Sequence, residues 1–454
     1  TRTVCAFLLS ACCRNREIKR EEMKWNKTLT PGRVIILCFA VLIAFGAVLL
    51  ALPIAYKNRT PLSPLDVCFT SFSAVCTVGL TVAPTYETFS AFGQGVLLFL
   101  IQVGGVGITS IGVGVMLLAG KRIGLRERIL IKETLNYPTF GGVVKLLRSL
   151  LLVTFGIEGV GAICCFPIFY ADFPLGRAIW LSVFHSVSTF NHAGFDIIGD
   201  AGMQEYTHHA SLLVITALLT IFGGLGFFVI RDVARNRRFR KFSLHTKVVL
   251  TMTAILLVGG TLLMKLSEGE LRWLQAFFYS AISRTSGFSI YSLATFSNAS
   301  LFLMVFLMFI GASTGSTSGG IKDTTLFVCV WSAIAYTRNR QPTIFHRRIS
   351  QTVRDKAVMI LLMGLGVVMV STFLMSVFEP DVSLIRLLFE VVSAFSTTGL
   401  STDLTSQLCS GSKIVLMLTM YIGRLGPLTV ATLWMMQGRN KNAIQRPEGT
   451  ISVG

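Results

Sequence analysis

Apolar stretches long enough to cross a bilayer recur along this chain, and nothing else in the sequence constrains its fold so strongly. They are Val34–Pro53, Val96–Ala119, Val143–Tyr170, Leu212–Ile230, Val248–Leu266, Leu326–Tyr336 with its upstream loop, Ala357–Phe378 and Ile414–Met436. A helical span needs about 20 apolar residues, so they predict eight spans in an all-α polytopic membrane protein. Composition agrees: 52% of the 454 residues are hydrophobic, only 14% are charged and 34 are phenylalanine. A water-soluble fold of that content would expose too much apolar surface. The ten cysteines form no Cys-x-x-Cys pair, and Cys38, Cys164, Cys165 and Cys329 fall inside apolar stretches. They read as small buried hydrophobes rather than as a disulfide or zinc framework.

The net charge of +19 is interpreted by its placement. Of the 41 Lys and Arg, 31 lie in five stretches: the segment up to Arg33, Lys121–Arg148, Arg231–Lys247, Arg338–Lys356 and the tail from Arg439. The intervening loops are richer in acids, including Asp196, Asp200, Glu205 and Asp381. This is the positive-inside pattern, and it places both termini in the cytoplasm of a multi-pass protein in the cytoplasmic membrane. Nothing among the bases has the motif or aromatic support that a nucleic-acid partner would require. Membrane lipid is the expected surroundings, and the basic loops Lys121–Lys132 and Arg231–Lys241 are expected to dock a regulatory partner or to touch anionic lipid. Residues 1–30 read as a cytoplasmic extension whose native status stays open. Met23 is a natural start, and Arg20-Glu21-Glu22 could be a translated ribosome-binding site.

Four short segments share one design. They run Ser71 to Thr81, Ser186 to Asp196, Tyr279 to Ser289 and Val391 to Ser401, and each carries a glycine followed by Leu or Phe: Gly79, Gly194, Gly287 and Gly399. Each follows an amphipathic stretch too short to span: Leu65–Cys76, Ala178–Phe190, Trp273–Ser283 and Leu384–Phe395. Such stretches suit re-entrant half-helices. Downstream of each comes a second glycine cluster: Gly104-Gly105-Val106-Gly107, Gly223-Gly224-Leu225-Gly226, Gly311 to Gly315, and Gly423-Arg424-Leu425-Gly426. One such cluster would indicate close helix packing; four in register indicate internal repetition. The chain therefore divides into repeats at 31–120, 121–240, 241–340 and 341–440, with a cytoplasmic tail at 441–454. Each repeat reads as span, pore helix, filter loop and span around a central pore.

Extended backbone at membrane depth leaves carbonyls unpaired, which is tolerated only along a watery or ion-filled path. Four loops around one axis would present carbonyl rings that replace a cation's hydration shell. Glycine permits the required backbone angles, and the half-helices aim their negative ends at the axis. The expected filter is Thr77, Val78 and Gly79; His192, Ala193 and Gly194; Thr285, Ser286 and Gly287; and Thr397, Thr398 and Gly399. Asp196, Glu390 and Asp403 read as vestibule charges.

These motifs resemble the KtrB/TrkH/HKT family of potassium transporters. The resemblance is carried by Asn-His-Ala-Gly-Phe-Asp (191–196), Ser-Arg-Thr-Ser-Gly-Phe (283–288), Ser-Thr-Thr-Gly-Leu-Ser (396–401), Gly-Lys-Arg-Ile-Gly-Leu-Arg-Glu-Arg (120–128), Phe-Ser-Leu-His-Thr-Lys (242–247) and Tyr-Ile-Gly-Arg-Leu-Gly-Pro-Leu-Thr (421–429), and it runs from about Pro31 onward. It implies potassium uptake through a channel-like pore subunit, a homodimer of pores, and a separate ring of KtrA-type nucleotide-binding subunits. Potassium is the expected ion and no cofactor is expected. The four glycines argue against the sodium-selective alternative, because in the family loss of the first is linked to sodium. His192, where Asn is common, Cys76, and Thr398, where Val is common, depart from the pattern and could alter selectivity if they point inward.

The third repeat contains Gly311, Ala312, Ser313, Thr314, Gly315, Ser316, Thr317, Ser318, Gly319, Gly320, Ile321, Lys322 and Asp323 in succession. Such a run cannot form a lipid-facing helix and should break its span with a flexible loop. The resemblance makes this loop a gate, with Arg424 as a charge barrier nearby; pairing with a carboxylate is the alternative for Arg424. Arg284 is expected to buttress neighbouring loop carbonyls, and Glu158 is an intramembrane carboxylate, either paired for structure or functional, whose partner the sequence does not give. A phosphate-binding loop is excluded by spacing and by the lack of a preceding strand. Inverted-repeat transporters fit less well, because all four repeats run the same way. A membrane enzyme fits less well because the six histidines form no zinc-like or acid-base constellation.

Overall fold

The computed structural model describes residues 31–57, 61–107, 110–111, 143–199, 202–345 and 347–426. The expectations for residues 1–30, for Lys121–Lys132, for the motif at 120–128 and for the tail at 441–454 lie outside them. The order of long helix, short helix, extended segment and second helix occurs four times. The first unit has α1 (Pro31–Leu50), α2 (Pro64–Val75) and α3 (Ala91–Val106). The second has α4 (Val143–Asp172), α5 (Leu175–Phe190), α6 (Ala210–Leu225) and α7 (Phe227–Asn236). The third has α8 (Leu244–Ser267), α9 (Trp273–Ile282), α10 (Asn298–Phe309) and α11 (Asp323–Thr337), and the fourth has α12 (Gln351–Phe378), α13 (Leu384–Ser396) and α14 (Ser410–Leu425). One two-stranded antiparallel ribbon, Thr343–Ile344 with Arg347–Arg348, lies between α11 and α12.

Four of these helices, α1, α4, α8 and α12, are long and apolar enough to cross a membrane alone. Their outward faces expose Leu37, Ile163, Leu263 and Phe373, among others, a distribution that suits hydrocarbon rather than water. The chain is a multi-pass membrane protein. Of the eight spans expected from hydropathy, four are single long helices, and the break expected in the third unit is present. The second helix of each unit is short or broken, and the Val96–Ala119 and Ile414–Met436 stretches run partly outside the described residues. The Leu212–Ile230 stretch is two helices, α6 and α7, bent by 94°. Gly226 is the break, at φ 81°, a conformation that ends an α-helix and suits glycine. In the third unit the missing upper half of the span is α10, and residues 310–322 join it to α11 without helix.

The short helices are the centre of the molecule. Each carries a fully buried phenylalanine, Phe69, Phe184, Phe278 or Phe389, nine or ten residues before its unit's glycine, and α13 buries Phe395 as well. The long helix of a unit clasps its short helix through glycine. In α1, α4 and α8, a Cβ on Gly46, Gly161 or Gly260 would collide with the hydroxyl of Ser71, Ser186 or Ser280. Those hydroxyls instead donate to long-helix carbonyls: Ser71 to Ile43 (2.7 Å), Ser186 to Glu158 (2.6 Å) and Ser280 to Leu257 (2.9 Å). Buried hydroxyls thus acquire acceptors where there is no water to supply them. Of the seven described cysteines, all free, Cys76 and Cys165 are buried as expected, whereas Cys164 is exposed on the outward side of α4.

Candidate functional site: a ring of four glycine segments

Each short helix ends in a turn that delivers its segment to the centre. In units one, two and four the turn is a C-terminal motif with a non-glycine residue in the left-handed region: Thr77 (φ 51°), His192 (φ 59°) and Thr397 (φ 54°). The next residue's N–H reaches back five positions, from Val78 to Ser73 O (2.8 Å), Ala193 to Ser188 O (2.8 Å) and Thr398 to Ser393 O (2.9 Å). This pattern caps a helix that the chain must leave sharply. The third unit differs. There, Ser286 N–H donates four residues back to Ile282 O (2.9 Å), and Thr285 is not left-handed. One reason is at hand: the serine six residues before the glycine in the other units is Ala281 here. In units one and four that serine hydroxyl accepts the glycine N–H itself, Gly79 to Ser73 Oγ (3.1 Å) and Gly399 to Ser393 Oγ (3.0 Å).

The four glycines all have positive φ: 95° at Gly79, 65° at Gly194, 73° at Gly287 and 87° at Gly399. They face one another in cyclic order. A Cβ on Gly79 would strike the Ala193 carbonyl, one on Gly194 would come within 2.8 Å of Ser286 O, and one on Gly287 would strike Thr398 O. A Cβ on Gly399 would strike Val78 O, which closes the circle. The residues read from the sequence as filter are therefore brought together, segment against segment. His192 and Thr285 add a side-chain tie between units two and three, Nδ1 to Oγ1 at 2.7 Å. Both His192 and Thr398 are fully buried, as is Cys76.

The second glycine clusters have a packing role in three units. A Cβ on Gly104, Gly223 or Gly423 would strike the carbonyl of Val75, Phe190 or Phe395, the end of the unit's own short helix. Gly311 in the third unit instead faces Gly319 O and Ile321 O, so its cluster belongs to the loop.

That loop, 310–322, crosses the centre and bonds directly to units two and four, while Arg424 links it to unit one. Ser313 N–H donates to Gly224 O (3.1 Å), and Phe227 N–H donates to Gly315 O (3.1 Å). Thr317 Oγ1 donates to Phe190 O (3.0 Å), Gly319 N–H to Thr397 Oγ1 (2.8 Å) and Gly320 N–H to Gly423 O (3.3 Å). Arg424 donates to Thr317 O on the loop and to Gly104 O and Gly105 O of the first unit. Its partners are carbonyls, and the carboxylate pairing weighed from sequence is not formed. Residues 314–320, Gly104, Gly223, Gly423 and Arg424 line a cavity of about 570 Å³.

Two expectations are corrected, for Arg284 and Glu390, and Glu158 takes the paired alternative. Among the described residues Arg284 makes no hydrogen bond to loop carbonyls; it faces Asp323 at 3.8 Å. Glu390 is no vestibule charge, because it is fully buried and accepts from Ser401 Oγ (2.7 Å), Thr402 N–H (2.9 Å) and Thr405 Oγ1 (2.9 Å). It fastens the chain just beyond Gly399. Glu158 has partners: Oε1 accepts from Asn191 Nδ2 (2.8 Å) and Oε2 from Gln102 Nε2 (3.1 Å). Asp403 is exposed and accepts from Ser292 Oγ (2.5 Å). Ser73, Ser393, Gln102, Asn191 and Asp323 escaped the sequence reading. The serines had a signal, their fixed offset from the glycines; the partners of Glu158 and Arg284 are distant in sequence and had none.

Comparisons with known proteins agree with this geometry. A family model described as TrkH, cation transport protein, matches residues 41–248 and 241–443. The chain is 36% identical over 448 residues to the Ktr system potassium uptake protein B of Bacillus subtilis (strain 168), across 96% of this chain and 99% of that one. It is 36% identical over 444 residues to the potassium/sodium uptake protein NtpJ of Enterococcus hirae, across 94% and 98% respectively. The crystal structure of the potassium transporter TrkH from Vibrio parahaemolyticus has the same fold, with a TM-score of 0.72 over 90% of this chain and 85% of that one, at 19% identity.

Proposed function

The chain belongs to the TrkH family of cation transport proteins, and from that premise we propose that it is the pore-forming subunit of a potassium uptake system. The observation that carries the proposal is the closed circle in which each of the four positive-φ glycines abuts the next segment's backbone. In this reading the carbonyls of Thr77, Val78, Gly79, His192, Ala193, Gly194, Thr285, Ser286, Gly287, Thr397, Thr398 and Gly399 replace water around the ion. A bare Cα lets neighbouring segments approach closely enough for all four to reach one axis.

The loop at 310–322 is the gate. It is bonded to units two and four, and through Arg424 to unit one, by hydrogen bonds that open water can replace, so a withdrawn state lies within a few kcal/mol. Arg424 holds it across the path and adds positive charge where screening is weak. The relatives' names speak of a uptake system, which supports further subunits. The finer assembly is a homodimer with a KtrA-type nucleotide-binding ring on the cytoplasmic side, where the basic loops place both termini. Arg235, Arg237, Arg238, Arg240 and Lys241 are exposed on and just after α7 and suit such a partner. A sodium-permeable reading draws on the name of the Enterococcus hirae relative; the presence of all four glycines favours potassium.

The test is growth at low potassium of cells lacking their own uptake systems. Rescue by this chain together with its partner subunit is expected. Rescue of sodium entry alone, with the chain present in the membrane, would overturn the potassium assignment.

A further inference from the structure

Arg284 and Asp323 form one of two ion pairs among the described residues, and it is the more deeply buried, with side chains 7% and 0% exposed. Arg284 immediately precedes Thr285 of the third segment. Asp323 opens α11, immediately after the central loop. Their closest approach of 3.8 Å is longer than the 2.7–2.9 Å of a charge-assisted hydrogen bond. Neither Nε nor Nη2 of Arg284, nor either Asp323 oxygen, has a side-chain hydrogen-bond partner among the described residues. The two are therefore matched by charge rather than by shared protons.

The surroundings make that charge matter. Three cations converge on the centre: Arg284, Lys322 and Arg424 all act electrostatically on His192. Arg424 is met by the carbonyls of Thr317, Gly104 and Gly105, and Lys322 by those of Ser318 (2.6 Å) and Gly319 (3.5 Å). Carbonyl dipoles solvate a cation but leave its unit charge in place. Asp323 is the carboxylate among these groups: it lies 3.8 Å from Arg284 and also acts electrostatically on its neighbour Lys322, and it removes a full charge from the group.

We propose that Asp323 is the counter-ion that neutralises Arg284 beside the third segment and so keeps the cation path passable. Asp323 is then a positioning residue for the field rather than a ligand. The inference rests on the cation-pore reading only in taking the glycine circle as the ion's path. The bland alternative is that Asp323 merely favours the start of α11, since a carboxylate in a first helical turn complements the helix dipole.

Uptake kinetics at matched membrane abundance separate the two. Asp323→Asn leaves Arg284 uncompensated, and the half-saturating cation concentration is expected to rise about tenfold. Arg284→Gln with Asp323→Asn restores neutrality, and the value is expected to return to within about twofold of the parent. Arg284→Gln alone leaves the carboxylate unopposed, and the value is expected to fall about threefold; this variant decides the matter if Asp323→Asn fails to reach the membrane. A double variant no better than Asp323→Asn overturns the proposal and assigns Asp323 to the helix start. An unchanged or raised value in Arg284→Gln overturns it as well. The ratios are read for whichever cation the parent carries, so a parent that moves only sodium sinks the potassium reading and leaves this test intact.

Discussion

Gly399 lies against the carbonyl of Val78, so that the last of four segments in the chain meets the first across a separation of 321 positions in sequence. Linear repetition becomes a closed figure at that contact. Adding a Cβ at Gly399 forces the Val78 carbonyl aside, and φ 87° is in any case strained for an L side chain. Alanine at Gly399 or Gly79 is therefore expected to lower potassium-over-sodium preference by about tenfold. Competitive uptake of the two ions at equal protein abundance checks this. Unchanged preference in variants of all four glycines would remove these segments as the filter.

Arg424→Ala removes the donor that ties Thr317 O to Gly104 O and Gly105 O. A loop relieved of roughly 1.4 kcal/mol of charge-assisted bonding opens about tenfold more often. Uptake velocity without the regulatory partner should rise by that order, with ion preference intact because the glycine circle is untouched. Velocities no higher than the parent's, for this variant and for one shortened within 313–318, would show that the loop does not gate.

Glu158 gathers the side chains of Gln102 and Asn191, and Asn191 immediately precedes His192. Glu158→Ala leaves Gln102 Nε2 short of an acceptor, at a cost of about 1–3 kcal/mol, while Asn191 Nδ2 keeps Gln102 Oε1 (2.9 Å) and Val187 O (3.0 Å). Glu158→Gln keeps the shape and one acceptor and should cost less. Thermal unfolding of the detergent-purified protein should rank parent above Gln above Ala. Equal melting of all three would show that the network contributes nothing measurable.

Glu379, just past the outer end of α12, accepts from Cys409 N–H (2.7 Å) and Ser412 Oγ (3.1 Å). Burial alone would raise its pKa, but these bonds outweigh it and hold the carboxyl below its ordinary 4.5. A depressed pKa gives stability that is present above the unfolded value and lost as pH falls through the folded one. Unfolding temperature should therefore drop below about pH 4.5 by less in Glu379→Gln than in the parent. Identical acid profiles would remove Glu379 from the pH dependence.

What the sequence determined by itself is local or periodic. Hydropathy placed the long helices, because a bilayer demands a continuous apolar surface of fixed length. The recurring serine-to-glycine segment placed the four short helices to within a few residues at each end, and the run from Gly311 to Lys322 announced its own lack of helix. Each of these is written in one contiguous stretch of the chain, about a dozen residues for the short helices and the loop and about 20 for a span. The tertiary structure decided what depends on partners far apart in the chain. It gave Arg284 to Asp323 and Glu158 to Gln102 and Asn191, and it turned Glu390 from a surface charge into a buried fastening. It also made the glycine clusters of units one, two and four seats for short-helix carbonyls. A buried polar group takes whatever partner the fold brings within about 3 Å. Nothing in a one-dimensional pattern encodes that distance until the four segments have closed around their axis.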